Sequence, residues 1–246
     1  MVTTLPAEQR TDIVYPESDG KPMADNTRQF RYIVMIQGGL DALFADHEDV
    51  FVAGDLLWYP VEGAPKIRAA PDIMVAFGRP KGDRDSYLQW QEDGIAPQVV
   101  FEILSPGNTV IEMGRKFDFY ERYGVEEYYV YDPDRNELAG WQREGNNLRL
   151  IDPIEGWASP RLHVRFSYSA GELHIYRPDG RRFATFVELE QARAQAEQAR
   201  EQAEQAREQE RQRAEQAEHA REQERLRAER LLAQLRALGV EPRDDE

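Results

Sequence analysis

The sequence predicts an α+β domain, a mixed β-sheet flanked by helices, followed by a long C-terminal helix or coiled coil. As far as about Tyr176, short β-rich apolar runs are interspersed with segments of helical period, and their order includes strand, strand, strand, helix, strand. From about Glu188 the composition changes to Ala, Glu, Gln and Arg. We therefore divide the chain into an irregular leader (1–22), a globular domain (23–187), a helical tail (188–240) and a disordered end (241–246).

The first helix is predicted over Ala24–Phe44, where apolar residues recur at helical spacing, with an interruption or end near Gly38 and Gly39. Residues 79–97 lack periodicity and predict a long loop. Two β-rich runs precede this loop, Val50–Pro60 and Ile67–Gly78, and a third follows it, Gln98–Pro106.

The second helix is predicted over Thr109–Tyr123, with Thr109 and Glu112 as a capping box and Gly124 as the stop signal. A strand follows at Tyr128–Pro133. Weaker strands are predicted at LAGWQ, LRLI, LHVRF and LHIYR.

The tail carries alanines at heptad spacing, at positions 196, 199, 203 and 206. These alanines form a seam, the stripe along which two helices of a coiled coil pack. Continuing the heptads places Glu210 and Arg213 in the seam before Ala217 and Ala220 restore it. Leucines 231, 235 and 238 form a short stripe at the end. An alanine seam buries little area. Two interpretations of the tail stay open. It is either a solvated single helix, or a weak coiled coil that joins two chains and places their globular domains on the two strands of a DNA duplex.

Composition restricts the chemistry. Cysteine is absent, so thiolate metal sites, disulfides and cysteine nucleophiles are excluded. The N-terminus lacks the apolar stretch of a signal peptide, and no apolar run reaches the roughly 18 residues of a membrane span, so we expect a cytoplasmic protein without membrane association. The net charge is −15, and the part before Glu188 holds 20 basic against 30 acidic residues. This disfavours binding by phosphate attraction alone, but carboxylates suit a hard divalent cation.

Glu102 is the most informative single residue, because it interrupts the apolar run VVFEIL, where an unpaired carboxylate is costly to bury. Strand alternation puts Val100, Glu102 and Leu104 on one face. Asp72 follows Pro71 at the start of the apolar segment IMVAF. Taken singly, Glu102 is also compatible with a salt bridge or an edge strand, and Asp72 with a turn. Only the combination of the two acids makes either one a candidate site residue.

Three segments, APDIMVAF, VVFEILSPGN and EMGRKFDFYERYGVEEYYVYDP, resemble the restriction endonuclease family that is often found in large copy number in cyanobacteria. That family belongs to the PD-(D/E)XK nuclease superfamily. The resemblance runs from about Pro22 to Tyr176 and is most specific over Pro97–Pro133. It implies a restriction-endonuclease-like core and hydrolysis of DNA with Mg²⁺ or Mn²⁺ as cofactor.

On this resemblance Asp72, Glu102 and the backbone carbonyl of Ile103 bind the metal, and Asp72 and Glu102 are catalytic. The sequence departs from the superfamily pattern two residues after the glutamate, where Leu104 stands in place of lysine. The matching lysine of this family is Lys116, on the following helix, which would orient the nucleophilic water or offset negative charge. The neighbouring Arg115 points about 100° away around the helix, so the two cannot face one site equally.

Three further acids are weaker candidates: Glu112, Asp55 and Asp25. Each has an ordinary structural interpretation as a cap or turn residue, and Lys116 itself could be a solvated lysine paired with Glu112. The histidines show no metal-ligand spacing, and no P-loop, dinucleotide-binding or GxSxG motif is present.

Two functions are therefore weighed. The first is a metal-dependent endonuclease acting on DNA through Asp72, Glu102 and Lys116. The second is a nuclease-fold protein with little or no activity, which serves as a scaffold and recruits partners through its tail. The second function is favoured by the excess of acidic residues in the globular domain and by Leu104 at the position where the superfamily has a lysine.

Overall fold

A computed structural model describes residues 13–18, 20, 22–168 and 171–237. It divides between Phe186 and Val187 into two compact units. Part of the predicted leader, Leu238 of the leucine stripe and the predicted disordered end lie outside the described residues.

In its described residues the first unit contains two α-helices and ten short strands. The helices are α1 (Thr27–Leu43) and α2 (Val110–Tyr123). The strands are β1 (Val50–Gly54), β2 (Trp58–Tyr59), β3 (Ile73–Phe77), β4 (Tyr87–Leu88), β5 (Val99–Ile103), β6 (Glu127–Asp132), β7 (Glu137–Glu144), β8 (Asn147–Leu150), β9 (Arg165–Ser167) and β10 (His174–Tyr176).

Six strands form the central sheet, in the order β1-β3-β5-β6-β7-β8. Strands β5 and β6 are parallel and the other neighbours are antiparallel, so the sheet is mixed as predicted. The parallel pair requires a crossover connection, and α2 supplies it. Outside this sheet, β2 pairs with β4 and β9 pairs with β10.

Each face of the sheet is covered by one apolar cluster. Residues of β3 and β5 that include Val75 and Phe101 pack with α1, while the alternate residues, including Met74 and Val100, pack with Tyr120 of α2. The alternation predicted for β5 is therefore confirmed, and it decides which helix each strand residue meets.

The long loop predicted over residues 79–97 is only partly irregular. It contains β4, which pairs in parallel with β2, and a short 3-10 turn at Gln89–Gln91. Glu92, near the end of this loop, contacts two arginines near its start. Its carboxylate accepts hydrogen bonds from the Arg79 Nε at 2.8 Å and the Arg84 Nε at 2.6 Å. The prediction missed β4 because a two-residue strand is specified by its distant partner rather than by local periodicity.

The predicted break in α1 is wrong: the helix continues through both glycines to Leu43, and the Phe44 N–H still bonds to the Leu40 carbonyl. Gly39 is needed for packing instead. A Cβ on Gly39 would lie 2.3 Å from the Phe183 ring, whereas a Cβ on Gly38 would meet nothing within 4 Å.

Substitution of these two glycines should therefore have opposite effects. We expect Gly39→Ala to destabilise the domain by about 1–3 kcal/mol, because the added methyl overlaps a buried ring. Gly38→Ala should stabilise it by about 0.5–1 kcal/mol, because alanine loses less backbone entropy in a helix. Urea unfolding followed by tryptophan fluorescence measures both, and a gain in stability for Gly39→Ala would contradict the packing argument.

The second unit contains one long helix, α3 (Phe186–Ala237), none of whose residues is buried. Intrahelical ion pairs lie along it, including Arg211 with Glu208 at 3.0 Å and with Glu215 at 3.7 Å. Since none of these residues is buried, the charged pairs and alanines of the helix favour the helical state. Within the described part of the chain, no helix has the length and apolar character that a membrane crossing requires.

Candidate active site

The register of β3 against β5 brings Asp72 and Glu102 together. Ile73 pairs with Phe101 in this antiparallel ladder, so Asp72, one residue earlier, stands across from Glu102, one residue later. Residues directly opposite in an antiparallel pair point to the same face. The Asp72 Oδ2 also accepts a hydrogen bond of 2.6 Å from the Ile103 N–H. Both carboxylates thus lie on the α2 side of the sheet.

Helix α2 supplies the partners of the Glu102 carboxylate. The Lys116 Nζ donates to Oε2 at 2.6 Å, and the Tyr120 hydroxyl donates to Oε1 at 2.5 Å. Glu102 is 2 % exposed, so both of its oxygens have a donor where water is largely excluded. Lys116 and Tyr120 are four residues apart and therefore share one face of the helix.

Caps at both ends of α2 fix its position. The Thr109 side chain accepts a hydrogen bond from the Glu112 N–H, and Gly124 adopts a left-handed conformation with φ of 97° at the C-terminal end. Both signals were predicted from the sequence. They set where the helix starts and stops, and so where Lys116 projects from it.

Electrostatics at the site favour a bound cation. Burial and, to a smaller extent, the nearby Glu102 carboxylate raise the pKa of Asp72, to about 8, although Lys116 and the Ile103 N–H act to lower it. Burial alone would lower the pKa of Lys116, but attraction to Glu102 and Asp72 outweighs it and raises that pKa. The ammonium group therefore stays protonated. Once Asp72 loses its proton, two carboxylates lie beside one ammonium group, and this net negative charge favours a bound cation.

The backbone carbonyl of Ile103 is already engaged on the α1 side. The Gln29 Nε2 donates to it at 2.7 Å, and the Gln29 Oε1 accepts from the Asp25 N–H at 2.8 Å. A carbonyl oxygen has two lone pairs, so one is left for another ligand. Gln29 and Tyr120 were not found from the sequence. Gln29 lies four residues before Ile33 on the buried stripe of α1, and this polar residue in an apolar stripe is a signal that could have revealed it.

A cleft of about 820 Å³ opens onto this arrangement. Asp72 and Lys116 line it, and so does Arg115, although Arg115 projects from α2 about 100° away from Lys116. Of these two basic side chains, Lys116 forms the ion pair with Glu102. The Arg115 side chain makes no hydrogen bond or ion pair with any residue that the structure describes. Its guanidinium is thus available to an anion in the cleft.

The three weaker candidates also line the cleft. Asp55 has φ of 50°, its N–H bonds to the carbonyls of Pro71 and Asp72, and its charge contributes to the raised pKa of Asp72. The Asp25 Oδ2 accepts from the Ser105 hydroxyl at 2.5 Å. The cap of α1 is Asn26, not Asp25. Glu112 takes part in the Thr109 cap, and its charge adds to the raised pKa of Lys116.

The donor set fits a hard divalent ion held partly by substrate. No group of three or more His, Cys, Asp or Glu residues within the described ranges is placed to hold a metal ion alone. Mg²⁺, however, is usually bound through one or two carboxylates together with substrate phosphates and water. The Asp72 Oδ1 accepts no hydrogen bond from the described residues, and Asp72 lines the cleft. This oxygen is therefore available as a ligand.

The raised pKa of Asp72 predicts a pH-dependent stability in EDTA. A carboxyl group whose pKa is higher in the folded state binds its proton more tightly there, so the wild type loses stability as the pH rises from about 4 to about 8. Asp72→Asn removes this loss and can still accept from the Ile103 N–H. We expect its melting temperature to exceed that of the wild type at pH 8, by an amount that shrinks towards pH 4.

Thermal melts between pH 4 and pH 8 measure this difference. Asp179→Asn is the control, since hydrogen bonds from Arg181 lower the pKa of that exposed carboxyl group and no gain should appear. A difference between Asp72→Asn and wild type that does not change with pH would contradict the prediction.

Comparison with known proteins agrees with the nuclease resemblance. One solved structure that matches is "a putative nuclease belonging to DUF820" from Anabaena variabilis, with 16 % identity, a TM-score of 0.46, and coverage of 61 % of this chain and 83 % of that chain. No curated protein matches the chain. The family model Uma2, described as "Putative restriction endonuclease", matches residues 35–163, which is more than half of the chain and includes Asp72, Glu102 and Lys116. The chain therefore belongs to the Uma2 family of restriction-endonuclease-like nucleases.

Proposed function

We propose that the globular domain is a divalent-metal-dependent endonuclease that hydrolyses phosphodiester bonds of DNA. The observation that carries the proposal is the placement of Asp72 across from Glu102, with Lys116 bonded to Glu102, beside an open cleft. Asp72, Glu102 and the Ile103 carbonyl are the proposed ligands of Mg²⁺ or Mn²⁺. When bound, such an ion lowers the pKa of a coordinated water and offsets charge on the phosphate.

The chain's own groups have distinct proposed roles. Lys116 is catalytic: it keeps its positive charge, so it offsets negative charge at the phosphate and orients the attacking water rather than accepting a proton. Tyr120 is a positioning residue, because its hydroxyl fixes the Glu102 Oε1. Together they hold the Glu102 carboxylate in one orientation before substrate arrives.

Substrate binding requires local cations, because the domain as a whole is acidic. Arg115 and Arg68 line the cleft with Lys116 and are the proposed contacts for the DNA backbone. Arg115 has no partner among the described residues, and a guanidinium group suits bidentate binding of a phosphate. Affinity should therefore depend on a few cleft residues and on the metal.

The test is plasmid nicking by the full chain. We expect nicking in Mg²⁺ or Mn²⁺ and none in EDTA, and calorimetry should detect Mn²⁺ binding that Asp72→Asn weakens. Absence of both nicking and Mn²⁺ binding would reject the proposal.

The alternative is a scaffold that uses the nuclease fold without catalysis. It is favoured by Leu104 at the usual lysine position and by the excess of acidic residues in the domain. Calorimetry separates the two functions, because a scaffold has no need of an ion at Asp72 and Glu102. Against the scaffold stands the contact of Lys116 with Glu102, which offers an ammonium group from α2 in place of the in-line lysine.

The proposed role of the tail is to join two copies of the chain as a weak coiled coil. Its exposed alanine seam supports this role, since it has nothing to pack against within its own helix.

A further inference from the structure

The seam of α3 contains charges in a repeating pattern that an ordinary parallel coiled coil would not tolerate. Continuing the alanine heptads places glutamates at positions 210 and 224 and arginines at positions 213 and 227. In a parallel, in-register pair each of these would face its own copy. Like charges opposed in a seam are unfavourable, so four layers would oppose that arrangement.

None of these four side chains has a partner within its own helix. Among the residues that the structure describes, the seam residues Glu210, Arg213, Glu224 and Arg227 make no hydrogen bond or ion pair. By contrast, Arg225 on the outer face pairs with Glu222 at 3.9 Å and with Glu229 at 3.7 Å. The charges of the seam are thus exposed and available to a second helix.

The seam is complementary to its own reversed copy. In an antiparallel coiled coil the first seam position of one heptad faces the second seam position of a heptad in the other helix. Because the two helices run in opposite directions, the residue numbers of the two partners add up to the same total in every layer. When Glu210 lies opposite Arg227 of the second copy, Arg213 lies opposite Glu224. The same register pairs Ala217 with Ala220 and Ala206 with Leu231.

The neighbouring registers lose this match. Sliding one helix by a heptad puts Glu210 opposite Ala220 and Arg213 opposite Ala217, which leaves both charges without a partner. The positions that flank the seam also favour the first register. Arg207 then lies near Ala228 of the second copy and Arg221 near Ala214, so these two arginines do not repel each other across the interface. Charged residues in a seam commonly set register and orientation at some cost in affinity.

We propose that the tail binds a second copy of this chain as an antiparallel coiled coil, with Glu210 paired to Arg227 and Arg213 to Glu224. The inference is independent of nuclease activity. At 1.5 Å per residue it places the two Phe186 residues, where the tails begin, about 100 Å apart. That separation is about three turns of B-DNA, so the tails do not begin side by side.

Disulfide cross-linking of the full chain tests the orientation, because the sequence has no cysteine of its own. Ala203→Cys and Gln234→Cys face each other across the proposed register. We expect a mixture of the two variants to give the mixed disulfide under mild oxidation, and each variant alone to cross-link slowly. The control mixture is Glu208→Cys with Glu229→Cys, at matched heights on the outer face, which should not cross-link. Rapid self-linking of Ala203→Cys would establish a parallel pair and overturn the proposal.

Charge reversal tests the pairing by sedimentation equilibrium. E210R/E224R should weaken self-association at least about tenfold, and adding R213E/R227E to it should restore association, since opposite charges again face each other. E208R/E222R makes the same change of charge on the outer face and should have a smaller effect. A wild-type chain that stays monomeric at millimolar concentration, or no rescue by the fourfold variant, would overturn the proposal.

Discussion

Asp72→Asn and Glu102→Gln are each expected to slow plasmid nicking in Mg²⁺ by at least about a hundredfold, a loss of about 2.7 kcal/mol of transition-state stabilisation. Each substitution keeps the size of the side chain and removes one negative charge from the proposed metal site. A neutral amide is a poorer ligand for a hard cation than a carboxylate. Nicking rates at saturating Mg²⁺ and with increasing Mn²⁺ measure the effect.

Asp72→Asn separates loss of activity from loss of folding, because this variant is expected to be more stable than the wild type in EDTA at neutral pH. Loss of activity in this variant therefore cannot be attributed to unfolding. Asp134→Asn is a suitable control, since the Asp134 side chain is half exposed and forms an ion pair with Arg28 on the surface. Wild-type rates for both Asp72→Asn and Glu102→Gln would exclude these carboxylates from the reaction.

Lys116→Met should give the largest loss of stability among the cleft substitutions. It leaves the Glu102 carboxylate buried with the Tyr120 hydroxyl as its remaining donor, and breaking a buried ion pair by removing one partner costs about 3–5 kcal/mol. Because Lys116 also offsets charge in the proposed mechanism, nicking should fall as well. Urea unfolding in EDTA measures the stability of the variant.

Arg115→Met is the matched control on the same turn of α2. Arg115 is exposed and makes no ion pair with the described residues, so its substitution should change stability by less than about 0.5 kcal/mol while weakening DNA binding. The double variant E102Q/K116M should recover much of the stability that Lys116→Met loses, since it leaves no buried charge unpaired. Equal losses for Lys116→Met and Arg115→Met would show that the contact with Glu102 contributes little.

Much of the fold follows from local patterns. The caps and spacing of residues 109–124 predict α2 within one residue, because the groups that start and end a helix are close in sequence. The alternation in VVFEIL likewise places Glu102 on the face of β5 opposite Phe101. The break assigned to Gly38 and Gly39 was wrong because nothing local indicates that the Phe183 ring packs against Gly39.

The sequence alone determines on which face of β5 Glu102 lies and where α2 begins and ends, because these depend on patterns of a few residues. Only the tertiary structure decides that Asp72 stands across from Glu102, that Lys116 and Tyr120 bond to the Glu102 carboxylate, and that Gln29 reaches the Ile103 carbonyl. Strand register and helix docking join residues far apart in the chain. Their geometry is set by packing of the whole domain and not by any local pattern.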